Sequence, residues 1–279
     1  ITTLAAVGSP TEQIDIWQIQ SLPNDIAVSA DGTKVYIVGS GFGGTPRGGT
    51  SVQQLNLSTP YDLSTADIGS PPDSDGSPLV YDTFDLSPYT GSTQAITFSP
   101  DGTKMFCGGG VIYRFDLSVA WDITSAAPPA GSPNFFDNVV STDWIQFSPD
   151  GTKMYLNDRG ESLITYYELD VAWDVSTASL GSPEITFLTA GPQIFCTDMY
   201  LKPDGTTFWV TGNTQTDITQ ATMSTPYDLS TASFGSPLIE SDSNVASIGS
   251  IFTMSSDGNH LYVKAGATLS HRIEHYTMS

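Results

Sequence analysis

Phe147-Ser148-Pro149-Asp150-Gly151-Thr152-Lys153-Met154-Tyr155 is the stretch on which the fold prediction rests. Asp-Gly is a tight-turn pair, because glycine accepts the positive φ angle that such a turn requires. Before the turn, apolar residues occupy alternate positions, as Ile145 and Phe147 do, and this period of two is typical of a β-strand. The stretch therefore predicts a β-hairpin.

The same hairpin pattern recurs along the chain at intervals of roughly fifty residues, with a longer first interval, and such a period indicates a repeat architecture. Its turns lie at Asp31-Gly32, Asp101-Gly102, Asp150-Gly151, Asp204-Gly205 and Asp257-Gly258. Alternating apolar residues precede every one of these turns, for example Ile26 and Val28 before the first. The chain is therefore predicted to contain five equivalent hairpins.

A second motif follows the first four hairpins and is called here the aromatic-Asp segment. It reads aromatic, Asp, aliphatic, two Ser or Thr, Ala. Its copies are Tyr61–Ala66, Trp121–Ala126, Trp173–Ala178 and Tyr227–Ala232. A third strand is predicted before each segment and a fourth after it, and four strands per repeat are typical of a propeller blade. The prediction is an all-β fold, a single five-bladed β-propeller with four antiparallel strands per blade.

The two ends of the chain complement each other. Val7-Gly8-Ser9-Pro10 matches Leu180-Gly181-Ser182-Pro183, and the alternation that follows it predicts a strand over residues 13–19. The fifth hairpin has a third strand after it and no fourth, so the N-terminal strand is expected to complete the last blade. One domain over residues 1–279 is predicted, with blades at about 24–86, 94–140, 143–189, 197–241 and 248–279 plus 13–19.

The chain is strongly acidic, with 9 Lys and Arg against 30 Asp and Glu and a formal net charge of −21. This charge argues against binding to nucleic-acid phosphates or anionic lipid. No apolar run reaches the roughly 20 residues that a membrane helix needs, so no membrane insertion is expected. The chain begins at Ile1 rather than Met, and a removed leader or a longer parent chain would both account for that. We expect it to be part of a larger chain or assembly.

The Phe-Ser-Pro-Asp-Gly-Thr-Lys-Met-Tyr repeat resembles the YVTN-like superfamily of β-propeller repeats. The stretch from Val171 to Ser179 more specifically resembles repeats in uncharacterised proteins of marine bacteriophages and bacteria. The likeness covers essentially the whole chain. It implies a propeller and, because many such proteins are surface or virion components, an extracellular, virion or cell-surface location. It implies no particular function, since propellers include enzymes, lectins and scaffolds.

Three features are candidates for ligand binding. Aromatic faces suit sugar C–H surfaces, and neighbouring carboxylates can accept hydrogen bonds from hydroxyl groups. The aromatic-Asp segments are expected on the outer rim. Their candidate residues are Tyr61, Asp62, Trp121, Asp122, Trp173, Asp174, Tyr227 and Asp228. A Gly-rich loop in the first blade carries Phe42 and Arg47, which suit a protein partner or a sugar. Asp73 and Asp75 with Gly76 form a candidate Ca²⁺ loop, and no other cofactor is expected. Turn capping and loop variation are the competing interpretations.

The innermost strands of a propeller line its channel, so the residues at which they begin share one mouth. These residues are Asp25, Gln94, Asp143, Asp198 and Ser250. Paired carboxylates there would suit a five-bladed glycoside hydrolase, in which one acts as acid and the other as base or nucleophile. Asp143 lies one residue further from its turn than Asp25 and Asp198 do, so the three side chains need not converge. A metal ion or water held in the channel is a further alternative.

The prediction for function is a non-enzymatic interaction or structural module. It would mediate protein assembly or bind surface glycans or receptors. A glycoside hydrolase is the alternative.

Overall fold

The computed structural model describes most of the chain. The described residues are 10–16, 19–40, 50–68, 81–129, 134–137, 142–158, 163–181, 185–186, 196–212, 215–239, 251–266 and 271–278. Within these ranges the secondary structure consists of β-strands and short 3₁₀ turns.

The first three blades follow each other along the chain. Blade 1 consists of β2 (Pro23–Val28), β3 (Lys34–Ser40), β4 (Thr50–Asn56) and β5 (Asp82–Asp85). Blade 2 consists of β6 (Ala95–Phe98), β7 (Lys104–Gly108), β8 (Ile112–Leu117) and β10 (Asn134–Phe136), with β9 (Ala126–Ala127) also paired to β8. Blade 3 consists of β11 (Ile145–Phe147), β12 (Lys153–Asp158), β13 (Leu163–Leu169) and β14 (Ala178–Leu180), with β15 (Ile185–Thr186) also paired to β13.

The last two blades complete the ring. Blade 4 consists of β16 (Cys196–Leu201), β17 (Thr207–Gly212), β18 (Gln215–Met223) and β19 (Ala232–Ile239). Blade 5 consists of β20 (Phe252–Met254), β21 (His260–Ala265), β22 (Arg272–Thr277) and the N-terminal β1 (Glu12–Asp15). All strand pairs within the blades are antiparallel, and β2 contacts both β6 and β20. The predicted five-bladed β-propeller is confirmed.

The N-terminal strand closes the ring, as predicted. In β1, Glu12 pairs with His275 and Ile14 with Ile273 of β22. The strand ends at Asp15, earlier than the sequence pattern indicates, and the Gln20 N–H donates to the Ile16 carbonyl in the turn that follows. This pairing covers an edge of the β22 strand that would otherwise be exposed.

The apolar core lies between neighbouring blades. Tyr36 and Val52 of blade 1 pack in one cluster with Met105 and Phe115 of blade 2. A second cluster joins Ile273 of blade 5 to the apolar residues of blade 1. The blades therefore stabilise one another through the apolar area buried at each seam.

The Asp-Gly turns share one hydrogen bond, from the backbone N–H two residues after each aspartate to its Oδ1. In the second turn, Asp101 Oδ1 accepts from Ser99 Oγ at 2.6 Å, Thr103 N at 3.0 Å and Thr103 Oγ1 at 2.8 Å. Burial alone would raise the pKa of Asp101, but these hydrogen bonds outweigh it and lower the pKa below its usual value. Gly102 has φ +69°, the left-handed conformation that makes glycine the residue of choice here. The turns are thus stabilised locally by the sequence that predicts them.

No helix in the described part of the chain is long and apolar enough to cross a membrane.

Candidate active site

A cavity of about 340 Å³ runs along the propeller axis and is lined by residues of all five inner strands. One end lies among exposed residues next to the hairpin turns: Ala30, Pro100, Pro149, Pro203 and Ser256. The deep end contains two carboxylates, Asp25 on β2 and Asp198 on β16, which are only 4% and 2% exposed. Its size is near the lower limit of roughly 300 Å³ for small-molecule sites, so a single-ring ligand fits best.

Asp25 and Asp198 occupy equivalent places and make equivalent hydrogen bonds. Asp25 accepts from its neighbour Ile26 N–H at 2.7 Å and, across the seam, from Ile96 N–H of blade 2 at 2.7 Å. Asp198 likewise accepts from Met199 N–H at 2.8 Å and from Phe252 N–H of blade 5 at 2.6 Å. Each carboxylate therefore ties its inner strand to the next one while reaching the cavity.

A β-bulge directs each of these side chains. The register of the β2–β3 pair shifts between Pro23 and Asp25, and that of β16–β17 shifts between Cys196 and Asp198. A bulge inserts one extra residue and turns the following side chain, and bulges are frequent next to active sites. Both bulges immediately precede the buried carboxylates, so the backbone irregularity sets where the acidic groups lie.

The environment raises the pKa of both carboxyls, Asp25 and Asp198. Burial raises the pKa of Asp25 well above its usual value, and the charge of Asp143 raises it further, while two backbone N–H groups oppose the shift. Burial also raises the pKa of Asp198, followed by the charges of Asp25 and Asp143. Carboxyls that interact in this way titrate as a coupled set, so one can hold a proton while another is ionised. The arrangement can supply a general acid and a general base together.

The channel-mouth residues differ in their surroundings. The charge of Asp143 raises the pKa of Asp25, and the charges of Asp25 and Asp143 raise the pKa of Asp198. The bulges before Asp25 and Asp198, which the repeat spacing does not reveal, set the place of these two side chains. Asp143 is half-buried, and its N–H donates to the buried Asn157 Oδ1 at 2.9 Å. Gln94 donates through Nε2 to Ser92 Oγ at 2.8 Å, and Ser250 lies outside the described residues.

Aromatic side chains form much of the cavity wall. They are Phe98, Trp121, Trp144, Phe147, Trp173, Tyr200 and Phe252. Trp144 lies six positions before its turn aspartate, as do Asp25 and Asp198. Sequence reasoning did not single out Trp144 or Tyr200. A comparison of the residues six positions before each turn aspartate would have identified Trp144.

The aromatic-Asp segments lie over the hairpin turns, which corrects their predicted place on the outer rim. Each aromatic residue has a positive φ: Tyr61 63°, Trp121 66°, Trp173 65° and Tyr227 62°. Its ring lies against the glycine of its own turn, for example Trp121 on Gly102. The backbone N–H of Trp121 donates to the Gly102 carbonyl at 2.8 Å. Only Trp121 and Trp173 of the four line the cavity.

The aspartates of these segments cap short 3₁₀ turns. Asp62, Asp122, Asp174 and Asp228 accept from the backbone N–H of Ser64, Thr124, Ser176 and Ser230, respectively. Such a cap satisfies a donor at the start of the turn. As contacts for sugars, these residues and their aromatic neighbours remain predictions.

The remaining predicted sites cannot be placed. Phe42, Arg47, Asp73 and Asp75 all lie outside the described residues. In the part of the chain that is described, no group of three or more His, Cys, Asp or Glu side chains could hold a metal ion.

Comparison with known proteins gives structural likeness only. No family profile and no curated protein sequence matches the chain. Among solved structures, a chain of the mitotic checkpoint complex has a TM-score of 0.51 at 12% identity, with 99% of this chain and 92% of that one covered. The periplasmic gluconolactonase of Pseudomonas aeruginosa has a TM-score of 0.50 at 12% identity, with 87% and 64% covered. A candidate 6-phosphogluconolactonase of Bacteroides uniformis has 0.48 at 13%, with 99% and 72% covered.

The prediction of a non-enzymatic interaction or structural module is wrong in the light of these neighbours. A sugar-lactone hydrolase is among the propellers that this chain resembles, although identities this low establish the fold alone. The residues that recur in each repeat were the most regular candidates for ligand binding. Asp25 and Asp198 do not recur in every repeat, because the equivalent position is Ala95 in blade 2 and Ile251 in blade 5.

Proposed function

We propose that this protein is a hydrolase that opens a neutral, single-ring sugar lactone in its axial cavity. The observation that carries the proposal is the pair of buried carboxyls, Asp25 and Asp198, at the deep end of an aromatic-walled cavity of about 340 Å³. Perturbed pKa values that arise from burial and from like charges are typical of functional carboxyls. The likeness to the P. aeruginosa gluconolactonase adds a substrate class that is small enough for this cavity.

The reaction needs one base and one acid. The ionised carboxylate takes a proton from a water molecule, whose oxygen bonds to the lactone carbonyl carbon. The bond between that carbon and the ring oxygen then breaks. The carboxyl that holds a proton gives it to the departing ring oxygen, so lactone and water become an open-chain hydroxy acid. Aromatic walls such as Trp121 and Trp173 would pack against the sugar ring.

Charge favours a neutral substrate over a phosphorylated one. The exposed turn aspartates Asp31, Asp101, Asp150, Asp204 and Asp257 lie next to residues that line the open end of the cavity. The pKa of each is lowered, so all are ionised at neutral pH. Their field, which the ion pair with Lys202 reduces at Asp204, opposes the approach of anions to the cavity.

The test is lactone opening by the purified protein at neutral pH, followed by acid release with a pH indicator and corrected for spontaneous hydrolysis. We expect acceleration with δ-gluconolactone and little with its 6-phosphate. Asp198→Asn should lower kcat by about 100-fold or more, as expected for loss of a general acid or base. Glu168→Gln, at an exposed carboxylate outside the cavity, is the matched control.

Thermal unfolding must accompany the kinetics, because Asp198 also holds two backbone N–H groups and an amide nitrogen cannot accept a hydrogen bond. Absence of acceleration by the unmodified protein would contradict the proposal. Release of p-nitrophenol from aryl glycosides, with no lactone opening, would favour the glycoside hydrolase alternative. The YVTN-like relationship and the extracellular, virion or cell-surface location remain predictions from sequence.

A further inference from the structure

Each of the four aromatic-Asp segments occupies a binding position between two neighbouring blades, which is called a seat below. One side of the seat is the turn glycine of the same blade. A Cβ atom built on Gly32, Gly102, Gly151 or Gly205 would come within 2.2 to 2.5 Å of the seated aromatic ring. The ring therefore occupies the space that any side chain at the turn would need.

The other side of the seat is a hydrogen-bond donor of the preceding blade, which binds the backbone carbonyl of the aromatic residue. Tyr155 Oη donates to the Tyr227 carbonyl at 3.0 Å, and Tyr262 Oη to the Tyr61 carbonyl at 3.1 Å. Tyr36 Oη donates to the Trp121 carbonyl in the same way. In blade 2 the equivalent residue is Phe106, and Arg114 Nη1 donates to the Trp173 carbonyl at 3.3 Å instead.

The fifth seat, between blades 4 and 5, has both sides but no occupant among the described residues. Strand pairing places Trp209 of β17 at the position of Tyr36 and Tyr155. Trp209 is only 7% exposed, and its buried Nε1–H has no acceptor among the described residues. Gly258 has φ +75° like the other turn glycines, yet no described atom lies within 4 Å of its Cβ position.

These are two independent signs of an unfilled site, an uncovered turn glycine and a buried donor without an acceptor. A buried polar group is normally satisfied, so the indole N–H favours binding of a carbonyl. All four aromatic-Asp segments of the chain are already seated at other seams.

We propose that the seat between blades 4 and 5 binds a peptide segment from outside residues 1–279 with the pattern aromatic-Asp-aliphatic-Ser/Thr-Ser/Thr-Ala. The four filled seats are the template. The aromatic ring covers Gly258, its backbone carbonyl accepts from Trp209 Nε1–H, and its Asp caps the 3₁₀ turn that follows. This proposal is independent of the proposed hydrolase activity.

The test uses a fluorescein-labelled peptide with the sequence of residues 224–233, Ser-Thr-Pro-Tyr-Asp-Leu-Ser-Thr-Ala-Ser. We expect saturable binding by fluorescence anisotropy with Kd below about 1 mM. In ¹⁵N-labelled protein the Trp209 indole N–H resonance, assigned with Trp209→Phe, should move on titration with the unlabelled peptide. A peptide with Ala in place of Tyr and Asp is the matched control and should not bind.

Two protein variants examine the two sides of the seat. Trp209→Phe should weaken binding about threefold to tenfold, as loss of one hydrogen bond implies, and Phe106 shows that this position accepts phenylalanine. Gly258→Ala should weaken binding at least tenfold, because its Cβ would occupy the place of the ring. Absence of binding at 1 mM peptide, equal binding of the control peptide, or an unmoved Trp209 signal would overturn the proposal.

Discussion

Single residues at the hairpin turns carry much of the regularity of this propeller. The left-handed conformation of Gly102 was predictable, because Asp-Gly is a known turn pair. That of Trp121, at φ 66°, was not, because a bulky residue rarely adopts it and no local propensity favours it. The Trp121 ring on Gly102 and the backbone hydrogen bond between the two residues maintain that conformation. Tertiary contacts therefore override the local preference.

A comparison of two turn glycines tests this contact. Gly102→Ala and Gly258→Ala both place a side chain at positive φ, which costs about 1 kcal/mol. Only at Gly102 would the new methyl group meet a ring, so overpacking should add about 1 to 3 kcal/mol there. Urea unfolding of the two variants measures the difference. Equal losses of stability would show that the ring is not held against the turn.

At the scale of strands, the repeat predicted the elements well and the site poorly. Five hairpins and the clasp of β1 against β22 follow from alternation and turn residues alone. The bulges before Asp25 and Asp198 do not, because a one-residue shift is set by how two strands pair and leaves no mark in composition. Those bulges decide which side chains face the cavity, and so the candidate site could be suspected from sequence but not assembled.

The seams between blades should depend on the tyrosine hydroxyls that cross them. Tyr155→Phe removes the hydrogen bond to the Tyr227 carbonyl and keeps the ring, so the free energy of unfolding should fall by about 1 kcal/mol. Tyr113→Phe, on the partly buried face of β8, is the control, since its hydroxyl bonds no described residue, and it should change little. Chemical denaturation measures both variants. If Tyr155→Phe leaves the free energy of unfolding unchanged, this hydrogen bond does not stabilise the contact between the blades.

The whole molecule should lose stability in acid through its turn aspartates. Their folded pKa values lie below the unfolded value of about 3.9, and that of Asp204 is about 2. The stability they contribute is therefore complete above pH 4 and is lost as pH falls from about 4 towards 2. The raised pKa values of Asp25 and Asp198 lower the stability of the folded state, because these carboxyls ionise more readily in the unfolded chain. They do so only above about pH 4.

Asp101→Asn isolates this effect, because all three hydrogen bonds at Asp101 are accepted by Oδ1, which asparagine retains. At pH 7 the variant should be less stable than the unmodified protein, because hydrogen bonds to a charged carboxylate are stronger than those to a neutral amide oxygen. Between pH 4 and pH 2 its melting temperature should fall less steeply than that of the unmodified protein, as a series of thermal melts would reveal. Parallel pH profiles would mean that the Asp101 carboxyl does not contribute to acid unfolding.

The five ionised turn aspartates beside the cavity entrance also bear on how a catalytic cycle would end. A lactone enters without charge, whereas the acid formed from it is an anion at neutral pH. The same ring of charge that leaves the incoming molecule unaffected pushes the outgoing one away, so turnover would be resistant to inhibition by its own product. Added salt screens such fields, and product inhibition should therefore strengthen as ionic strength rises.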